Sequence, residues 1–276
     1  MGRKEYGRYG KHSRRDRRKK KGGIISTVIL IVAICVFAFS AFQLYKIFNG
    51  YHKGESEYDD LVKLAVTEDK GEQENGTDDQ DGSRFSVDFD ALRQINPDVV
   101  AWIRFDEPAV INYPVVQGSD NSEYLSKTFK GYDNTVGTIF VNAYNHADFN
   151  DRNTIIYGHY MYNGTMFNEL EQYHEKSFWE KYPSFYIYTP DGKTRTYTVF
   201  SAAVVKDTAD QYNLTYATDE AFESYLKMCK EDSAYDTGTE VNAQSQIVSL
   251  STCTNVREDE RFLLQGVLTA TDGGEN

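Results

Sequence analysis

Residues 248–268 read VSLSTCTNVREDERFLLQGVL. An apolar, β-rich run ends in Cys253, a short charged loop follows, and a second apolar run opens just behind Arg261. This pattern predicts two strands joined as a hairpin, with a cysteine at its mouth. The chain has only three cysteines, so the placement invites three readings: a small buried hydrophobe, half of a disulfide, or a nucleophile.

Further runs of the same kind lie upstream: residues 99–105 (VVAWIRF), 111–117 (INYPVVQ), 137–143 (GTIFVNA) and 153–159 (NTIIYGH). In residues 184–205, two alternating runs join through Asp191-Gly192, a favoured tight-turn pair. Together with the opening hairpin these give about eight short strands without βαβ alternation. The architecture expected is mainly β, a closed eight-stranded barrel, because closure leaves no open sheet edge. A short helix over Phe89, Leu92 and Ile95 stops at Pro97.

A second helix is expected in residues 218–231 (TDEAFESYLKMCKE), just before the strand that carries Cys253. Thr218 serves as its N-cap, and two acids in its first turn suit the helix dipole. Phe222, Tyr225, Leu226 and Cys229 fall on one stripe, which makes Cys229 a core-facing residue. A Cys229–Cys253 disulfide stays open as the alternative.

The N-terminal quarter is different in kind. Residues 1–21 hold eleven Lys/Arg against Glu5 and Asp16, so a chain of net charge -12 carries about -21 beyond them. Residues 24–42 (IISTVILIVAICVFAFSAF) are nineteen residues without a charge, long enough to cross a bilayer core. A basic block directly before one span stays in the cytoplasm and puts the remainder outside. Cleavage near Ala38-Phe39-Ser40 as a signal peptide is the rival reading.

The expected organisation is a basic cytoplasmic tail (1–23), a membrane anchor (24–42), a stalk and acidic linker (43–84) and an extracellular domain (85–276). The basic block is thus a topology signal, and no nucleic-acid partner is expected.

A thiol needs a basic or cationic neighbour to become a good nucleophile. His12 falls in the cytoplasmic tail and His52 in the stalk, while His174 lies in a polar helical stretch and His146 in an Asn/Asp-rich loop. His159 ends an apolar strand directly after Gly158, where the backbone can approach a neighbour closely. Arg261 opens a strand and can present its fork of donors to an oxyanion, whereas Arg257 sits among acids. Each has a plainer reading: a buried cysteine, a strand-end histidine, a surface ion pair.

LSTC at one strand end, an arginine opening the next strand, and IIYGH on an earlier strand resemble the sortases. LRQINPDVVAWIRF, INYPVVQGSDNSEYL, NTIIYGHYMYNGTMFNEL and the helix before the nucleophile strand resemble class B in particular. The resemblance covers Phe85 to the C-terminus. It implies a sortase-type barrel with N-terminal helices, and a cysteine transpeptidase on the outer face of a Gram-positive membrane.

The implied reaction cleaves a C-terminal sorting motif of secreted proteins after threonine, holds the product as a thioester, and passes it to a peptidoglycan-precursor amine. Cys253 would be the nucleophile, His159 the acid/base and Arg261 the oxyanion donor. Asn121, Leu125, Tyr212, Leu214 and Ser251 would contact the motif. Ser249 replaces the threonine that usually begins the family pattern. Asn255 stands where class B often has an acid. The resemblance implies no cofactor and no metal. Two other functions remain: a catalytically silent surface-binding or pilus-assembly module, and a thiol peptidase releasing its product to water.

Overall fold

The computed structural model describes residues 2, 16–69, 84–106, 111–254 and 256–273. It divides into two compact units, Met1–Asn49 and Gly50–Asn276. Helix α1 (Asp16–Ala65) supplies the first unit. Among the described residues it is the one helix long and apolar enough to cross a membrane, with a window of mean hydropathy 2.8 in Gly23–Ala65.

The second unit starts earlier than the sequence suggests. Tyr58, Leu61 and Ala65, at i, i+3 and i+7, are buried in its core. The Tyr58 hydroxyl donates to the Gly137 carbonyl at 2.5 Å, and the Glu57 carboxylate accepts from the Lys130 backbone N–H at 2.8 Å. Residues 50–65 therefore belong to the folded body rather than to a stalk. Residues 66–69, within the stretch read as stalk and linker, form strand β1 (Val66–Asp69), antiparallel to β2 (Arg84–Val87). Most of the acidic linker lies outside the described residues.

After helix α2 (Phe89–Ile95), capped by Asp88, come eight strands: β3 (Val99–Phe105), β4 (Asn112–Val116), β5 (Ile139–Val141), β6 (Asn153–Tyr157), β7 (Ser184–Tyr188), β8 (Lys193–Lys206), β9 (Ile247–Cys253) and β10 (Glu260–Gly273), with the one-turn helix α3 (Lys176–Trp179) between β6 and β7. They close in the order β10-β8-β7-β3-β4-β5-β6-β9. The β4–β5 and β6–β9 pairs are parallel and the others antiparallel. The expected barrel is thus observed. The β7–β8 hairpin turns at Asp191-Gly192, where Gly192 takes the left-handed φ of 77° that the turn requires.

Alternation along the strands sorts side chains to the two faces. Val248, Leu250, Phe262 and Leu264 fill the core cluster that includes Trp102, Phe185 and Tyr197. Ile247 and Val267 instead meet helix α4 (Asp219–Asp232) outside the barrel, with Phe222, Tyr225, Leu226 and Cys229 forming the helix's buried stripe. The Thr218 side chain caps α4 as expected, accepting from the Ala221 N–H at 3.2 Å. Cys229 and Cys253 are both free thiols, so the disulfide alternative is not realised.

Under α4 lies a buried polar cluster. Ser249 donates to Asn153 Oδ1 at 2.8 Å, and Gln265 Nε2 donates to Ser249 Oγ at 2.9 Å and to the Tyr225 hydroxyl at 3.1 Å. Asn153 Nδ2 donates to the Tyr225 hydroxyl at 3.0 Å and to the Asn213 carbonyl at 3.1 Å. These bonds tie three barrel strands and α4 to the segment that carries Asn213.

Candidate active site

Cys253 is the last residue of β9, and its cross-strand partner on β10 is Arg261. On the other side, β6 runs parallel to β9 with Tyr157 opposite Ser251. The Gly158 N–H extends that ladder by one bond to the Ser251 carbonyl at 3.1 Å. Cys253 and Arg261 thus face each other across the β9–β10 pair, and His159 comes directly after the end of the neighbouring β6 ladder.

His159 is held from two sides. Its Nε2 lies 2.7 Å from the Leu125 carbonyl. A carbonyl only accepts, so Nε2 carries the proton and Nδ1 is the basic nitrogen of the neutral ring. Gly137, at a φ of 63°, lies against the ring: a Cβ there would sit 2.9 Å from His159 Cδ2 and 2.7 Å from the Tyr124 carbonyl. Gly158 allows the close approach read from sequence, since a Cβ on it would fall 2.6 Å from the Phe167 ring.

Arg261 is clamped by its own turn. Its NH1 donates to the Glu258 carbonyl at 2.7 Å and the Glu260 carbonyl at 2.9 Å, and NH2 lies 3.5 Å from the Asp207 carboxylate. The guanidinium is thus held on the strand opposite Cys253 but shared with an acid. Arg257, by contrast, pairs with Glu260 at 3.2 Å and is two-thirds exposed.

Along the outer face from Cys253, Ser251 meets the Tyr212 hydroxyl at 2.8 Å. The Tyr212 ring stacks over Tyr157 with centroids 6.5 Å apart, and the Tyr157 hydroxyl accepts from Asn142 Nδ2 at 3.0 Å. Burial pushes the Tyr212 phenol up to about 12, against the opposing bond from Ser251, so it stays a neutral donor. Leu214 is half-buried just beyond it. Leu125 is exposed and offers its carbonyl to His159. The Asn121 side chain is already engaged, its Oδ1 accepting from the Ala143 N–H at 2.7 Å. Asn255 lies outside the described residues.

His174, read as solvated surface, is exposed, and its ring also lies tilted against Phe262 with ring centroids 4.4 Å apart. It lines the same small pocket as Cys253, together with Glu171 and Tyr160. Its polar helical stretch, residues 168–174, closes the barrel end by burying Leu170 and Tyr173. A spacing of i and i+3 for those two was the available signal.

Comparison with known proteins agrees with this geometry. A family model described as a sortase domain matches residues 106–269. The chain is 35% identical to sortase B of Listeria monocytogenes over 181 residues, covering 64% of this chain and 72% of that one. Sortase B of Bacillus anthracis superposes with a TM-score of 0.68 at 31% identity, covering 81% of this chain and 99% of that structure. A sortase B solved in complex with triglycine gives a TM-score of 0.61 at 31% identity, covering 66% and 85%.

Proposed function

This chain belongs to the sortase family of cysteine transpeptidases, within class B, and from that premise we propose that it acylates Cys253 with the threonine carbonyl of a secreted protein's sorting signal and transfers the acyl group to a cell-wall precursor amine. The observation that supports this reading is the register of the rim, with Arg261 opposite Cys253 and the β6–β9 ladder running to Gly158, the residue before His159.

The Cys253 sulfur attacks the threonine carbonyl as thiolate, forming the C–S bond. The oxyanion so made is stabilised by the Arg261 guanidinium, a donor fixed before reaction. Collapse breaks the C–N bond, and protonated His159 delivers its proton to the leaving amine. In the second half the incoming amine attacks the thioester, a C–N bond forms, the C–S bond breaks, and His159 takes the proton. Tyr212, Ser251, Leu214 and Leu125 line the sorting-motif side, with Asn121 acting as a brace for its wall. A primary amine of the triglycine type, as in the related complex, is the acceptor class. The basic residues before the apolar stretch of α1, and that stretch itself, support an anchor with the N-terminus in the cytoplasm and the barrel outside.

The test uses the full chain in detergent, sorting-motif peptides and triglycine, with products read by mass spectrometry. A Cys253 thioester and an amide-linked triglycine product are expected, both lost in Cys253→Ala. Hydrolysis alone, whatever amine is offered, would replace this reading by a thiol peptidase. No thioester with any motif would replace it by a silent binding module.

A further inference from the structure

Strand alternation puts Ser251 and Cys253 on one face of β9. Arg261 pairs with Cys253 on one side and with Val205 of β8 on the other, and Leu263 pairs with Ser251 and Ala203 in the same way. Ala203, Val205 and Leu263 pack there with Ala209 and Tyr212, on the face where Tyr212 meets Ser251. Asp207 comes two residues after Val205, just past the end of β8. Its backbone is pinned: its N–H donates to the Asp259 carbonyl at 3.0 Å, and Lys206 pairs with the Asp259 carboxylate at 2.5 Å.

Two acids of the loop before Arg261 are already engaged, Asp259 by Lys206 and Glu260 by Arg257. Among the described residues, Asp207 is the acid that pairs with Arg261, 3.5 Å from NH2. The Glu258 and Glu260 carbonyls hold only NH1, and a guanidinium tethered at one nitrogen can still turn its plane about that point. A second contact, at NH2, fixes the planar fork. These three contacts leave two of the five N–H donors of an arginine free. At 3.5 Å the Asp207 contact is longer than a good hydrogen bond, so it orients the cation without saturating it. Burial is the main reason the Tyr212 phenol is raised; among the lesser ones Arg261 pulls it down and Asp207 pushes it up, so both charges act on this face.

We propose that Asp207 is a positioning residue for the acylation step: it holds the plane of the Arg261 guanidinium so that its free N–H groups are presented to the carbonyl oxygen of the bond attacked by Cys253. This rests on the transpeptidase reading given above. The Arg261 side chain is long, rich in rotamers and about a quarter exposed. Untethered it would sample solvent, and a donor that must be ordered during the reaction stabilises the oxyanion less.

The test separates orientation from folding. The full chain in detergent is mixed with a sorting-motif peptide, and Cys253 thioester formation is timed by mass spectrometry. Asp207→Asn is expected to slow acylation about three- to fivefold, the scale of a partly exposed charge pair, with the half-saturating peptide concentration unchanged. Asp207→Glu, which keeps the charge, should restore most of the rate. In a chain that carries Arg261→Ala, whose slow acylation is followed over hours, Asp207→Asn should add nothing. The NMR signal of the Arg261 Nε–H, identified by its loss in Arg261→Ala, should move in Asp207→Asn and stay in place in Glu223→Gln, on the exposed face of α4. Acylation of Asp207→Asn at the parent rate, equal slowing with and without Arg261→Ala, or an unmoved Arg261 signal would each overturn the proposal. A chain that forms no thioester with any motif fails the transpeptidase reading instead, and the NMR signal still decides whether Asp207 holds Arg261.

Discussion

Asn153 is fully buried beneath α4, and replacing it with leucine isolates what its amide does. Asn153→Leu keeps the branching and removes three short bonds: Ser249 to Oδ1 at 2.8 Å, and Nδ2 to the Tyr225 hydroxyl at 3.0 Å and the Asn213 carbonyl at 3.1 Å, besides a long one from Nδ2 to the Gln211 carbonyl at 3.5 Å. At about 1 kcal/mol net per short bond this costs about 3 kcal/mol. The Ser249 hydroxyl proton then has no acceptor, which adds about 1–3 kcal/mol. The added apolar burial returns about 1–2 kcal/mol, leaving a net loss of about 2–5 kcal/mol. For a folded unit of this size that corresponds to a fall in Tm of roughly 4–20 °C.

The same amide holds the carbonyl of Asn213, the residue after Tyr212. Loosening it frees Tyr212 from Ser251 and is expected to raise KM for a sorting peptide more than it lowers kcat. Thermal unfolding of the full chain followed by peptide kinetics checks both parts. A Tm lowered by less than about 2 °C, under the range expected for a loss of this size, would refute the account of the cluster as a satisfied, stabilising network.

Two further predictions concern the cysteines and the rim. Burial pushes the Cys229 thiol up to about 11 and leaves it 1% exposed, so at pH 8 only about one molecule in a thousand carries that thiolate. Iodoacetamide should label the half-exposed Cys253 well before Cys229, with Cys229 reacting only as pH rises towards 11; equal rates by peptide mapping would contradict the packing. Gly137→Ala places a methyl group 2.7 Å from the Tyr124 carbonyl at a φ of 63° and should cost about 2–4 kcal/mol through left-handed strain and overpacking. It should also slow acylation of Cys253 at least tenfold by displacing His159, and unchanged acylation would show that Gly137 does not set the ring's position.

The barrel was legible because its strands alternate or run apolar at lengths typical of strands, and because Asp191-Gly192 marks the turn of one hairpin. Helix α4 was legible down to its cap, since Phe222, Tyr225, Leu226 and Cys229 keep a helical period without interruption. The start of the folded body was not. Tyr58, Leu61 and Ala65 lie buried in a strongly charged stretch, and the hydrogen-bond partners of Tyr58, Gly137 and Thr138, are about eighty residues away.

Local pattern likewise placed Cys253 and Arg261 together, because they flank one short loop. The Asp207 carboxylate near Arg261 lies just past the end of β8, the other neighbour of β10, and left no trace in that loop. His174 is exposed as its polar stretch suggests, but its contact with Phe262 was hidden because that partner lies on β10, far away in sequence.

Every strand of the barrel has two bonded neighbours. An extended client peptide therefore cannot be recognised by joining the barrel as another strand, the mode that gives many peptide-binding domains main-chain affinity with little regard for sequence. On the function proposed above, recognition falls instead to side chains on the segments around Leu125, Tyr212 and Leu214, which can change one at a time without disturbing the register that sets Arg261 opposite Cys253. Client choice and bond-making chemistry are in this way inherited separately.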